Sequence, residues 1–300
     1  MSVPAKRLTA QDFDHDLMIL FDAYVHGRID RRGFLDKAQR FAVGGLTAAG
    51  LLAMLSPNFA LGQVIKPADD RIKTEKLEIP TPGYGKMKGY LCRPANAGTT
   101  KLPAILVVHE NRGLNPHIED ITRRLAVEGF MAFAPDALTP IGGYPGNEDE
   151  ARGLFAQLDQ GKTREDFVAA ANYLKARPDA TGKLGAVGFC YGGGVVHFLS
   201  TRLPDLAAGV PFYGPHPAAT EAVKVKAPMM IQFAADDNFV NGGWPAYEAA
   251  LKAAGANYTA HTYPGTLHGF NNDTTPRFEA TAAKLAWERT GAFFKKNLAA

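Results

Sequence analysis

From residue 73 onward, short apolar runs alternate with amphipathic stretches, and this alternation predicts the fold. Residues 73–80 and 87–94 carry β-branched and aromatic side chains between Pro and Gly boundaries, the pattern of an antiparallel pair at a sheet edge. Pro103-Ala104-Ile105-Leu106-Val107-Val108-His109 is apolar without alternation, as in a parallel strand covered on both faces. A helix is expected over 117–128, a strand over 131–135, helices over 148–158 and 164–176, the second opened by a Thr163 cap, and a strand over 184–189. Helix 193–202, strands 208–213 and 229–234, helix 244–254, strand 258–263 and a closing helix 277–297 complete the series. Strand and helix alternation of this kind predicts one α/β domain, a mostly parallel central sheet with helices on both faces. No repeat, low-complexity tract or interdomain linker interrupts it.

The first 62 residues have a different pattern. Asp30-Arg31-Arg32-Gly33-Phe34-Leu35-Asp36-Lys37 precedes a nearly uncharged apolar run over 41–55, then small residues at Ala60 and Gly62. Paired arginines, an apolar run too short to span a bilayer comfortably and a small-residue cleavage pattern resemble a twin-arginine export leader. The expectation is a leader over 1–62, a mature domain over 63–300, the twin-arginine machinery as a partner, and a periplasmic or secreted product. Asp30 and Asp36 depart from the usual leader. The alternative is a helical segment retained on a folded cytoplasmic protein, and residues 12–24 already look like an acidic helix.

Composition narrows the chemistry. A net charge of +3 with scattered Lys and Arg gives no basic stripe for nucleic acid. Two cysteines, Cys92 and Cys190, make no disulfide framework, so each thiol is judged by its surroundings. Gly188-Phe189-Cys190-Tyr191-Gly192 stands between an apolar strand and a helix, the context of a nucleophile elbow. Glycines two before and two after leave room for a sharp turn, and the amino end of a helix favours a thiolate. Cys92 lacks this context and is read as structural.

A thiol nucleophile needs a base and an orienting acid, which in this arrangement follow the later strands. Ala235-Asp236-Asp237-Asn238 ends one strand, and Gly265-Thr266-Leu267-His268-Gly269-Phe270 follows the next. His268 is the expected base and Asp237, ahead of Asp236, the expected acid. His109, His117, His216 and His261 compete poorly, and their spacing suggests no metal cluster. No cofactor motif is found.

Gly188-Phe189-Cys190-Tyr191-Gly192-Gly193, Asp237-Asn238-Phe239-Val240 and His268-Gly269-Phe270 together make the chain resemble dienelactone hydrolase across about residues 73–298. His109-Glu110-Asn111-Arg112-Gly113-Leu114-Asn115 is similar to that family's Gln-Glu-x-x-Gly-x-Asn segment. The resemblance implies an α/β-hydrolase fold, a triad of Cys190, His268 and Asp237, and Glu110 as a fourth participant touching the resting thiol. The competing reading of Glu110 is a pair with Arg112. The backbone amides of Tyr191 and Asn111 are the implied oxyanion hole. The family's arginine shortly after the catalytic histidine is missing, because His268-Gly269-Phe270 runs on as Asn271-Asn272-Asp273. Arg112 or Arg152 is then the candidate contact for an anionic substrate.

The expected function is hydrolysis of a small ester or lactone, as by a carboxymethylenebutenolidase. The rivals are a general small-ester carboxylesterase, a non-catalytic envelope binding protein on the same scaffold, and a thiol redox sensor, which would want a resolving cysteine.

Overall fold

The computed structural model describes residues 7–299. Its amino-terminal part is helical: α1 (His15–Val25), α2 (Arg31–Ala38), α3 (Ala48–Leu55) and α4 (Phe59–Gly62). The sheet region follows as β1 (Ile72–Thr81), β2 (Gly85–Pro94), β3 (Leu102–Val108), α5 (Pro116–Val127), β4 (Met131–Pro135), α6 (Glu148–Phe155), α7 (Gln160–Ala176), β5 (Ala180–Phe189), α8 (Tyr191–Arg202), β6 (Ala208–Phe212), β7 (Met229–Asp236), α9 (Asn238–Asn241), α10 (Trp244–Ala253), β8 (Tyr258–Leu267) and α11 (Ala280–Leu298).

Eight strands form one sheet in the order β1-β2-β4-β3-β5-β6-β7-β8. β1 with β2 and β2 with β4 are antiparallel, and the remaining pairs are parallel. The unbroken apolar run of β3 is explained by its two covered faces. Ala104, Leu106 and Val108 pack towards α7, α8 and α10, whereas Ile105 and Val107 pack towards α5 and α11. This is the α/β-hydrolase architecture, and it puts the carboxyl ends of β3, β5, β7 and β8 along one rim, where such sheets hold their ligands.

Element boundaries differ from the sequence expectation where a side-chain cap decides them. α7 begins at Gln160 rather than 164, because the Asp159 carboxylate accepts from the Gly161 and Lys162 amides. Thr163 lies inside the helix, its hydroxyl donating back to the Asp159 carbonyl at 2.9 Å. α11 starts at Ala280, where the Glu279 carboxylate accepts from Thr281 and Ala282, and Arg277 is freed to reach the rim. β8 runs on to Leu267 because pairing with β7 resumes at Asp236 beyond a bulge.

The amino-terminal segment is folded against the sheet region. Leu17, Met18, Phe21 and Tyr24 of α1, Phe34 and Ala38 of α2, and Leu51, Leu52 and Leu55 of α3 form a shared apolar cluster. Each large side chain of this kind contributes roughly 1.5–3 kcal/mol by leaving water. The apolar run that resembles an export leader thus supplies a buried helix face. Beyond α4, the Val64 and Ile65 amides donate to the buried Asp120 carboxylate at 3.1 and 2.8 Å. Arg124 bonds both Asp120 and the Gly62 carbonyl. Among the described residues no helix is long and apolar enough to cross a membrane.

Candidate active site

Cys190 sits in the turn from β5 into α8 with φ 54° and ψ −114°, a conformation rarely open to a side-chain-bearing residue. The turn closes because its neighbours have no side chains. A Cβ on Gly188 would stand 2.1 Å from the Gly192 carbonyl oxygen, and one on Gly192 would stand 2.2 Å from that of Val108. Tyr191 opens α8, so its amide belongs to the first turn, whose donors have no partner within the helix.

His268 and Asp237 are delivered by the loops after β8 and β7. His268 Nδ1 lies 2.6 Å from Asp237 Oδ2, and both residues are buried. Asp236 points elsewhere: its side chain is half exposed and lies 3.5 Å from His15. The geometry therefore favours Asp237 as the partner of the imidazole.

A second imidazole enters from the amino-terminal segment. His26, the residue after α1, brings Nε2 to 3.4 Å from Cys190 Sγ and 3.2 Å from His268 Nε2. The Nε2–Nε2 contact is a hydrogen bond when one ring donates and the other accepts. His26 Nδ1 lies 3.1 Å from Asp22 Oδ1 and 2.8 Å from the Asp22 carbonyl. Two imidazoles, each backed by a carboxylate, thus face one thiol. Their three donor atoms lie within 4.8 Å of one another, which makes this a group able to hold a metal ion.

Burial opposes ionisation of Cys190, but the charges of His268 and His26 and their hydrogen bonds outweigh it and bring the thiol down to about 6. Burial likewise opposes the charged form of each imidazole, and the facing Cys190 with the Asp22 or Asp237 carboxylate raises both. Cys92 shows the contrast: burial without such partners pushes its thiol up to about 12.

The other expected site residues are placed as follows. Asn111 lines the cleft with Cys190 and His268, and its side-chain amide donates to the Val25 carbonyl at 3.0 Å. Glu110 lines the same cleft, but its carboxylate accepts from Asn272 at 3.1 Å. Among the described residues, the hydrogen-bond partner of the resting thiol is His26 Nε2 at 3.4 Å. The expected resting contact between Glu110 and Cys190 is corrected accordingly. The alternative pair with Arg112 is not formed either, since Arg112 lies 3.6 Å from Glu148.

Arg112 Nη2 and Arg152 Nη1 donate to the Val25 and Tyr24 carbonyls at 3.1 and 2.7 Å. These carbonyls end α1, the negative pole of its dipole, so both arginines are engaged by the segment that covers the cleft. A third arginine at the cleft, Arg277, was not singled out from the sequence. It is buried and lines the cleft with Cys190 and His268. Its Nε and Nη1 make no hydrogen bond, and Asp22 Oδ1 is 3.8 Å away. His109, by contrast, is structural: Nε2 accepts from the Ala137 amide and Nδ1 donates to the Glu110 carbonyl.

Residues 87–298 match the dienelactone hydrolase family. The chain belongs to that family. Residues 5–43 match a second family, described as YqhI-like. An Escherichia coli protein named as a hydrolase fragment, YghX, is 49% identical over 115 residues, covering 38% of this chain and 97% of that one. A Synechocystis protein named as a carboxymethylenebutenolidase is 31% identical over 245 residues, covering 76% of this chain and 98% of the relative. A Klebsiella pneumoniae structure titled as a dienelactone hydrolase superposes with a TM-score of 0.68 at 29% identity, over 75% of this chain and 99% of that one. The dienelactone hydrolase match begins only at residue 87, so His26 lies outside the part of the chain it covers.

A lowered thiol has a direct consequence for reactivity. Alkylation of Cys190 by iodoacetamide, followed by mass, is expected to rise with pH around a midpoint near 6 and to be lost below it. A midpoint in the ordinary cysteine range, about 8.5, would contradict the electrostatics described.

Proposed function

We propose that the protein hydrolyses a small ester or lactone through Cys190, with His268 as acid and base and Asp237 as its orienting carboxylate. The observation that carries this reading is a thiol on a strained turn, lowered to about 6, beside an imidazole whose far nitrogen is 2.6 Å from a buried carboxylate. In the cycle, thiolate Cys190 attacks the carbonyl carbon and its π electrons move to oxygen. The Tyr191 and Asn111 amides stabilise that oxyanion. Collapse expels the alkoxide, which takes a proton from His268 Nε2. Water, deprotonated by His268, then cleaves the thioester and restores the thiolate.

Glu110 is the fourth participant in this reading, its carboxylate lining the cleft that substrate enters and accepting from Asn272. Arg277 supports an anionic substrate, because a buried guanidinium with unbonded Nε and Nη1 fits a carboxylate. The family membership and the relative named as a carboxymethylenebutenolidase favour a lactone. A neutral ester would leave Arg277 unused.

Turnover of p-nitrophenyl acetate and of a dienelactone carboxylate compares the two. Cys190→Ala is expected to abolish both, and Asp237→Asn to lower both by on the order of a thousandfold or more. Arg277→Gln should raise KM for the lactone carboxylate by tenfold or more, about 1.4 kcal/mol, and spare the acetate. Undiminished turnover in Cys190→Ala would sink the reading, and equal loss on both substrates in Arg277→Gln would remove the carboxylate contact.

A second reading concerns the amino-terminal segment. Arg31-Arg32 and the apolar run favour twin-arginine export of the folded protein, and cleavage after Gly62 would strip His26 from the cleft. The buried cluster of α1 to α3 and the bonds from Arg112 and Arg152 favour retention, which we adopt. Intact mass of protein recovered from its native cell is expected to include the segment ahead of Gln63, and a product beginning near Gln63 would establish the leader.

A further inference from the structure

His26 helps lower the Cys190 thiol, but it moves no proton and holds no substrate in the reaction above. Nor is it needed to hold the segment, since the apolar cluster and the two arginines already do so. Yet its Nε2 is directed at the two atoms that perform the chemistry, and its Nδ1 is supported by Asp22. Two imidazole nitrogens and one sulfur therefore converge on a common point.

We propose that His26, Cys190 and His268 form a binding site for a borderline-soft divalent cation of the zinc class, and that the bound ion withdraws Cys190 from nucleophilic service. Zinc holds thiolate sulfur at about 2.3 Å and imidazole nitrogen at about 2.0–2.1 Å. A tetrahedron with those radii has N–N and S–N edges of about 3.3 and 3.6 Å. The separations found are 3.2 Å between the two Nε2 atoms and 3.4 Å between His26 Nε2 and Cys190 Sγ.

The surroundings fit as well. Zinc-binding histidines characteristically direct the other ring nitrogen to a carboxylate, which fixes the ring and strengthens the ligand. Here both do, His26 to Asp22 and His268 to Asp237. The two carboxylates and the thiolate gather negative charge around the rings, which a dication offsets. Sulfur and imidazole donors suit zinc, whereas oxygen sites suit magnesium and calcium. On binding, any protons still carried by Sγ and the two Nε2 atoms depart. Three lone pairs pass to the ion and nothing is oxidised or reduced. Three protein ligands leave a fourth position for water. With the sulfur and His268 Nε2 both coordinated, neither nucleophile nor base is available to an ester.

The test uses the full-length, metal-stripped protein and needs no ester turnover, so it stands or falls separately from the hydrolase reading. Calorimetry with Zn²⁺ is expected to give one ion per chain. Co²⁺ should give tetrahedral d–d bands with a thiolate charge-transfer band that Cys190→Ser abolishes. Asp22→Asn, which keeps all three donors, should weaken Zn²⁺ by roughly ten- to a hundredfold, and His26→Gln, which removes one donor, by at least as much. Stoichiometric Zn²⁺ should also shield Cys190 from iodoacetamide. The proposal is overturned if the wild-type chain takes up no ion in one-to-one ratio. It is equally overturned if His26→Gln, folded by circular dichroism, binds as tightly as wild type.

Discussion

The structure at the rim of the sheet depends on how tightly the chain folds back around Cys190. Backbone passes so close at Gly188 and Gly192 that no side chain fits, and the thiol is held on a turn that costs of order 1–3 kcal/mol. That constraint aims Sγ across the rim towards the loops after β7 and β8. It also puts the sulfur at the first turn of α8, where free amides and the helix dipole favour negative charge. Two buried cores, one on each face of the sheet, keep the turn from relaxing.

Electrostatics then decide which groups meet. The thiol draws positive charge, and the imidazoles that approach it are each anchored by a carboxylate at the far nitrogen. Arginines that could have served a substrate anion are spread over two tasks. Arg112 and Arg152 satisfy the terminal carbonyls of α1, whereas Arg277 stays with unbonded nitrogens near the thiol. The covering segment therefore does more than shield the cleft, because it meets all three guanidiniums, Arg112 and Arg152 through carbonyls and Arg277 through Asp22.

Much of this was legible in the amino-acid order, for local reasons. The elbow is written in five consecutive residues, and Asp237 and His268 each follow an expected strand, so their arrival at one rim follows from the sheet. The parallel core of β3 and β5 could be read from unbroken apolar runs. What was not legible depends on tertiary placement. His26 stands far from the elbow in sequence, in a segment whose paired arginines and apolar run resemble an export leader, and nothing nearby marks it as facing a thiol. Arg277 was hidden because a helix was expected to begin there, whereas the Glu279 cap shifts the helix start and leaves the guanidinium at the cleft. Thr163 failed as a cap for the same kind of reason, since Asp159 offers a better acceptor one turn earlier.

In the proposed cycle Cys190 carries a covalent acyl intermediate. Rapid acid quenching during p-nitrophenyl acetate turnover, followed by peptide mass mapping, tests it directly. A single acetyl group is expected on the peptide containing Cys190, accumulating before steady state and absent from Cys190→Ala. Steady turnover with no acylated cysteine, or with the acetyl group on another residue, would contradict it.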